Sequence, residues 1–135
     1  MIYVTRREVF SASHRLFNEE FSEYENENAF GKCSGIYGHG HNYVLEVVIA
    51  GDTNPETGYV IDLKILKKII RENIIDKMDH KHLNYEVDFM KDIIPTAENI
   101  AVSIWNQLDN KIPNGKLYSI KLYETENNYV EYKGE

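Results

Sequence analysis

The segment from Lys116 to Thr125, KLYSIKLYET, alternates strongly between apolar and polar residues. A period of two residues places successive side chains on opposite faces of a β-strand. After the turn residues ENN, the segment YVEYK alternates again. The C-terminal region therefore predicts a β-hairpin, which restricts the chain to folds that contain an antiparallel sheet.

Two further strands are predicted near the N-terminus. Residues Ile2 to His14 alternate loosely and are rich in β-branched and aromatic side chains, and His41 to Gly51 has the same character. The polar, acidic stretch from Phe17 to Gly31 has no clean period, so it predicts a loop or a short helix. Residues Gly51 to Asp62 are dense in turn-forming residues.

Two helices are predicted between the strand pairs. Asp62 is a suitable N-cap for a first helix, whose apolar residues recur at helical spacing to about Met78. Thr96 can cap a second helix, with Glu98 in its first turn, where the helix dipole favours an anion. The residues IPNG, 112–115, end that helix.

The predicted order of elements is therefore β-β-α-α-β-β. This order predicts an α+β fold in which two helices cover one face of a four-stranded antiparallel sheet. A length of 135 residues fits one domain, residues 1–135. A four-stranded sheet has two open edges, which favour pairing with another copy of the chain.

Composition excludes several classes of function. The net charge of −7 argues against a nucleic-acid partner, and no apolar stretch approaches the roughly 18 residues of a membrane span. The first ten residues contain two arginines and no apolar run of signal-peptide length. The single cysteine cannot form an internal disulfide, so we expect a cytosolic protein.

The motif GHGH contains His39 and His41, which point to the same face of an extended chain. His14, at the end of the first strand, can supply a third imidazole, and an open fourth position would make a catalytic zinc site. A closed structural site with Cys33 as the fourth ligand is the first alternative. A turn with solvated histidines is the second.

Four other acidic or basic residues are ambiguous by themselves. Asp79 and His80 could form a proton-transfer pair, or His80 could simply favour the negative end of a helix. Glu124, near a strand end, could accept hydrogen bonds from an aminopyrimidine ring or could be an ordinary exposed acid. Glu98 is already explained by its place at the start of a helix.

Several segments together resemble the 6-pyruvoyl-tetrahydropterin synthase family. The resemblance covers almost the whole chain, from about Phe10 to the C-terminus, and its segments are FSASHRL, FGKC, GHGHNY, MDHKHLN, TAENIAVSIW and YETENNYVEYKGE. It implies the tunnelling fold, in which three subunits join their sheets into a barrel and two trimers stack as a homohexamer. It also implies active sites at subunit boundaries.

The resemblance also implies roles for individual residues. His14, His39 and His41 match the Zn²⁺ ligands, and Cys33 matches a catalytic cysteine that is not a ligand. Asp79 and His80 match a proton-transfer pair that reaches the site from a neighbouring subunit. Glu124 matches the carboxylate that anchors the pterin ring, assisted by the segment with Thr96 and Glu98.

The implied reaction is that of a lyase in tetrahydrobiopterin-type biosynthesis. It converts 7,8-dihydroneopterin triphosphate to 6-pyruvoyl-tetrahydropterin, with elimination of triphosphate. Zinc acts as a Lewis acid on the side-chain oxygens, a thiolate takes the acidified proton, and no nicotinamide or flavin is needed.

The presence and spacing of Cys33 bear on each of three rival assignments. The closest is 6-carboxy-5,6,7,8-tetrahydropterin synthase of queuosine biosynthesis, whose cysteine usually stands four residues before the first histidine of HGH. The six-residue step from Cys33 to His39 favours the pyruvoyl enzyme. A second relative uses a glutamate in place of the cysteine. This sequence has Cys33 and no acid between Cys33 and His39, which argues against that assignment. A non-catalytic Cys-His₃ zinc module stays open.

Overall fold

The computed structural model describes residues 1–135 and contains five strands and four α-helices. The strands are β1 (Ile2–His14), β2 (His39–Gly51), β3 (Lys81–His82), β4 (Lys116–Tyr123) and β5 (Tyr129–Tyr132). The helices are α1 (Glu23–Phe30), α2 (Leu63–Ile70), α3 (Asp76–Met78) and α4 (Ala97–Leu108). A π turn (Arg71–Ile75) joins α2 to α3.

The strands form one sheet in the order β3-β1-β2-β4-β5. β1 and β2 pair antiparallel along their whole length, from Ile2 opposite Gly51 to His14 opposite His39. The predicted four-stranded antiparallel sheet is wrong in one respect, because β3 pairs parallel to β1 through Ala12 and Ser13. The sheet is therefore five-stranded and mixed, and two residues are too few to show a period in the sequence.

The hydrophobic core lies between one face of the sheet and the helices. β1 and β2 contribute alternate residues to it, including Phe10, Tyr43 and Leu45, all at most 1% exposed. α2 to α3 contribute Leu66, Ile70, Ile74 and Met78, and α4 contributes Ile100, Ile104 and Leu108, none of which is exposed. The predicted α+β layering is confirmed.

The two predicted helices are present, with changes to the first. Asp62 caps α2 by accepting a hydrogen bond from the Lys64 N–H at 2.9 Å, but the helix reaches Met78 only through the π turn. Thr96 caps α4 as predicted. The Phe17–Gly31 stretch contains α1, which begins with a capping box between Ser22 and Glu25.

β2 begins two residues earlier than predicted, at His39, so the whole HGH motif is strand. Gly40 interrupts the alternation in the sequence without interrupting the backbone pairing, since it lies opposite Ser13 of β1. The HGH motif therefore pairs with the last three residues of β1. None of the helices combines the length and apolar character required to span a bilayer.

Candidate metal and catalytic site

Three histidines converge where β1 ends and β2 begins. His14 lies opposite His39, and Ala12 lies opposite His41, so the antiparallel register places all three imidazoles on the core-facing side of the sheet. One ring nitrogen from each histidine lies within 4.8 Å of the other two. This group could hold a metal ion.

The orientation of His14 leaves its Nε2 free for a ligand. His14 Nδ1 is 2.8 Å from the carbonyl oxygen of Pro95, which can only accept, so Nδ1–H donates and Nε2 carries a lone pair. His14 Nε2 lies 3.1 Å from His39 Nε2. Tetrahedral Zn–N bonds of ~2.0–2.1 Å separate their nitrogens by about 3.3 Å, so the observed spacing suits a shared cation.

His41 supplies a third indication that a cation fits. Its Nε2 is buried and has no hydrogen-bond partner, and the nearest acid oxygen, Glu124 Oε1, is 3.8 Å away. A buried polar atom without a partner is costly, and a bound cation would satisfy it. Burial lowers the pKa of His14 and of His41, against the opposing effect of Glu124, so both rings are kept neutral as metal ligands require.

Tyr43 and Pro95 hold His14 in place and were not identified from the sequence. The Tyr43 hydroxyl is 3.3 Å from His14 Nδ1, and its ring stacks on Phe10 at a centroid distance of 5.0 Å. Burial raises the pKa of Tyr43, so its hydroxyl stays protonated. The alternation of HGHNY could have indicated Tyr43, which shares the face of His39 and His41; a backbone carbonyl such as that of Pro95 leaves no signal in sequence.

Cys33 lies in a 3₁₀ turn (Gly31–Ser34) that is docked against the residues following His14. The Leu16 N–H donates to the Cys33 carbonyl at 2.9 Å, and Arg15 Nε donates to the Ser34 carbonyl at 2.8 Å. The thiol is free and half-buried. Cys33 is not a member of the metal-binding group, which consists of the three histidines.

The N-terminus of α4 contacts the same site through Pro95. Thr96, the next residue, accepts a hydrogen bond from the Asn99 N–H through Oγ1 at 3.2 Å. Glu98 is exposed in the first turn. Glu124 follows β4, is 30% exposed and is the acid nearest His41, so its carboxylate lies at the rim of the histidine group.

Asp79 and His80 form a pair at the edge of β1, outside the histidine group. Asp79 Oδ1 accepts the Ser11 N–H at 2.9 Å, and His80 N–H donates to the Ser11 carbonyl at 2.6 Å. His80 Nδ1 lies 3.0 Å from Asp79 Oδ2, and its side chain is 83% exposed. No hydrogen bond joins this pair to the three histidines within the chain.

His82 also stays outside the metal-binding group. Its ring lies 4.7 Å from that of Tyr85, and its backbone N–H donates to Glu86 at 2.9 Å. The His82 side chain is half-buried.

The fold and the site define a class: a small α+β protein with a three-histidine group, of the kind that binds a catalytic metal, at the end of its sheet. The family model described as 6-pyruvoyl tetrahydropterin synthase matches residues 3–135. The chain belongs to this family, which is a family of enzymes.

Individual relatives agree with the family. The 6-pyruvoyl tetrahydrobiopterin synthase of Pongo abelii is 50% identical over 132 residues, which cover 98% of this chain and 91% of that protein. Its counterpart from Homo sapiens is 48% identical over the same shares. The structure of Caenorhabditis elegans 6-pyruvoyl tetrahydropterin synthase superposes with a TM-score of 0.94 at 39% identity, covering 99% of this chain and 96% of that one.

Proposed function

We propose that this chain is a zinc-dependent lyase that converts 7,8-dihydroneopterin triphosphate to 6-pyruvoyl-tetrahydropterin and triphosphate. The observation that carries the proposal is the group of His14, His39 and His41 with a free thiol on the adjoining turn and Glu124 at its rim. Neutral imidazoles favour Zn²⁺, and three protein ligands leave a position for substrate. Family membership supports the same reaction.

The residues of this chain divide the chemistry between them. Glu124 accepts hydrogen bonds from the N–H groups of the pterin ring, assisted by the Thr96–Glu98 segment. When bound, Zn²⁺ would supply Lewis acidity to the side-chain oxygens of the substrate. Cys33 acts as the thiolate base that removes the acidified C–H proton, and triphosphate leaves with the electron pair of its C–O bond. Tautomerisation then moves electrons from the side chain into the ring, so no external oxidant or reductant is needed.

Asp79 and His80 complete proton transfer from a second subunit. Their position at the edge of β1, with an exposed imidazole and no contact with the histidine group of the same chain, supports a role at a neighbouring site. We infer a homohexamer, a dimer of trimers with the tunnelling fold, whose sheets join at their open edges into a barrel. Residues 1–135 then act as one pterin synthase domain, and the lone free cysteine favours a cytosolic location.

Replacement of Cys33 by alanine separates the enzyme from a closed Cys-His₃ zinc module. We expect the Cys33→Ala variant to keep one metal ion per chain while turnover falls by ~10²-fold or more, because a base is lost and a ligand is not. Metal content by mass spectrometry and turnover of dihydroneopterin triphosphate are the measurements. His39→Ala is the matched control and should lose the metal. Loss of metal from Cys33→Ala would show that Cys33 is a ligand.

A further inference from the structure

The helical segment α2 to α3 is tied to β1 at two places. Near its middle, Arg71 Nε donates to Glu8 Oε1 at 2.6 Å. At its end, the backbone of Ser11 holds Asp79 and His80 through the two hydrogen bonds described above. The two attachment points are three residues apart on the strand and eight apart on the helix. Both contacts can form only if the distance from Arg71 to Asp79 along the helix matches the distance from Glu8 to Ser11 along the strand.

The π turn begins at Arg71, which is also the residue that forms the ion pair. The buried apolar residues before, within and after this turn are spaced by four: Leu66, Ile70, Ile74 and Met78. In a regular α-helix each step of four residues over-rotates by about 40°, so such a row leaves the sheet. A π turn has i→i+5 bonds and more residues per turn, so it rotates the row back. All four side chains remain fully buried.

Glu8 is an unusual residue for the core side of a strand. Its side chain is 5% exposed, and Arg6 also donates to it from Nη2 at 3.1 Å. The Arg71 side chain is 53% exposed, so the pair joins a buried carboxylate to a half-exposed guanidinium. Burying the carboxylate costs free energy that a half-exposed partner offsets only in part, so a general gain in stability does not explain the charge. A directional contact can instead select one helical register over another. The only irregular turn of this helix coincides with that contact.

We propose that Glu8 and Arg71 are positioning residues, which fix the π turn and thereby the register that delivers Asp79 and His80 to Ser11. His80 has a φ of +60°, a backbone conformation that costs energy for a non-glycine residue and persists only when its surroundings impose it. The structural part of this inference stands on the contacts alone. Its catalytic consequence rests on the proposed function, in which Asp79 and His80 transfer protons.

Amide hydrogen exchange of the Arg71→Met variant tests the structural part without substrate. We expect exchange at Asp79 and His80 to accelerate ~10-fold, while amides paired between β2 and β4 keep their wild-type rates. Lys68→Met is the matched control, because Lys68 lies on the same helix in an exposed pair with Glu72 at 3.9 Å. It should leave all of these rates unchanged. Unchanged rates at residues 79 and 80, or an equal increase throughout the sheet, would overturn the proposal.

A second variant covers the case in which Arg71→Met folds poorly. The double variant Glu8→Leu with Arg71→Met removes the buried charge together with one of its two partners. The other partner, Arg6, has a side chain that is 33% exposed to water, so the unfolding midpoint should return to near that of the wild type. Exchange at Asp79 and His80 should nevertheless stay fast. If it returns to the wild-type rate, the ion pair contributes packing only and the proposal is wrong.

Turnover distinguishes this inference from the proposed function. With dihydroneopterin triphosphate, Arg71→Met should lower kcat ~10-fold at an unchanged KM, since it displaces a proton-transfer pair and no substrate contact. The His80→Ala variant tests the function itself. Full turnover by His80→Ala would show that Asp79 and His80 have no catalytic role. The hydrogen exchange of Arg71→Met would still decide whether Glu8 and Arg71 position these two residues.

Discussion

Single contacts orient the ring nitrogens of the histidine group towards a common point, which histidines on an open surface would lack. His14 is oriented by a carbonyl oxygen at 2.8 Å, and His41 presents a buried nitrogen that has no hydrogen-bond partner. Both features prepare a lone pair for a cation instead of for water. The sequence placed His39 and His41 on one face of an extended chain and allowed His14 to join them from the neighbouring strand. It could not predict Pro95, whose carbonyl acts independently of the side chain.

Asp79 gives a pH-dependent prediction at the same scale. The Ser11 N–H lowers the pKa of Asp79, burial opposes this, and His80 lowers the pKa further. A depressed pKa contributes stability that is present above the unfolded value of about 3.9 and is lost as the pH falls through the folded value. In metal-free protein, the free energy of unfolding should fall as the pH is lowered from 5 to 3. We expect this fall to be less steep in the Asp79→Asn variant.

Denaturant unfolding of both proteins at several pH values provides the measurement. Asparagine keeps an oxygen that can accept the Ser11 N–H, so the comparison isolates the charge. Identical slopes for the wild type and Asp79→Asn would contradict the prediction.

At the scale of elements, sequence patterns predicted long segments better than short ones. β1 has the predicted bounds because thirteen residues suffice to show alternation. β3 was missed because two residues carry no period. The π turn was missed because two apolar residues four apart also lie on one face of an ordinary helix, and the drift builds up only along the whole row. The Asp79–His80 pair was identified, but its attachment to Ser11 depends on β3 and the π turn and was therefore not predictable.

The start of β2 depends on a glycine that precedes the HGH motif. Gly38 has a φ of +70°, and a Cβ there would lie 2.7 Å from the His14 carbonyl oxygen. We expect Gly38→Ala to cost ~1–3 kcal/mol of stability and to weaken metal binding ~10-fold, because His39 would shift away from His14. Denaturant unfolding and competition with a chelator are the measurements.

Gly58→Ala is the control for backbone strain alone. Gly58 has a φ of +79°, but a Cβ there would meet nothing within 4 Å. This variant should lose some stability and keep its metal affinity. Equal metal affinity in the two variants would refute the link between Gly38 and the histidine group.

For the whole molecule, the free edges of the sheet indicate how copies associate. β3 covers only Ala12 and Ser13 of β1, and β5 pairs only with the Ile120–Tyr123 end of β4. Most of the β1 edge and the start of β4 are left unpaired, and the open face carries exposed apolar residues such as Tyr3, Val9 and Tyr118. Long free edges in a stable protein favour pairing between copies.

The homohexamer proposed above predicts a particle of six 15.8 kDa chains in solution. Sedimentation velocity at protein concentrations that support turnover should give a single hexameric species. Val9→Lys places a charge on the open sheet face and should reduce assembly and turnover together, because the proposed function has Asp79 and His80 reach their site from a second subunit. A fully active 15.8 kDa monomer would exclude the shared site.

The identity of the product tests the account most directly. Metal-loaded protein is incubated with 7,8-dihydroneopterin triphosphate under anaerobic conditions, and the products are identified by mass spectrometry. The six-residue step from Cys33 to His39 and the family of the chain predict 6-pyruvoyl-tetrahydropterin and triphosphate, with the three-carbon side chain intact. Formation of only 6-carboxytetrahydropterin with acetaldehyde would contradict this assignment and identify the enzyme as the carboxy-forming relative.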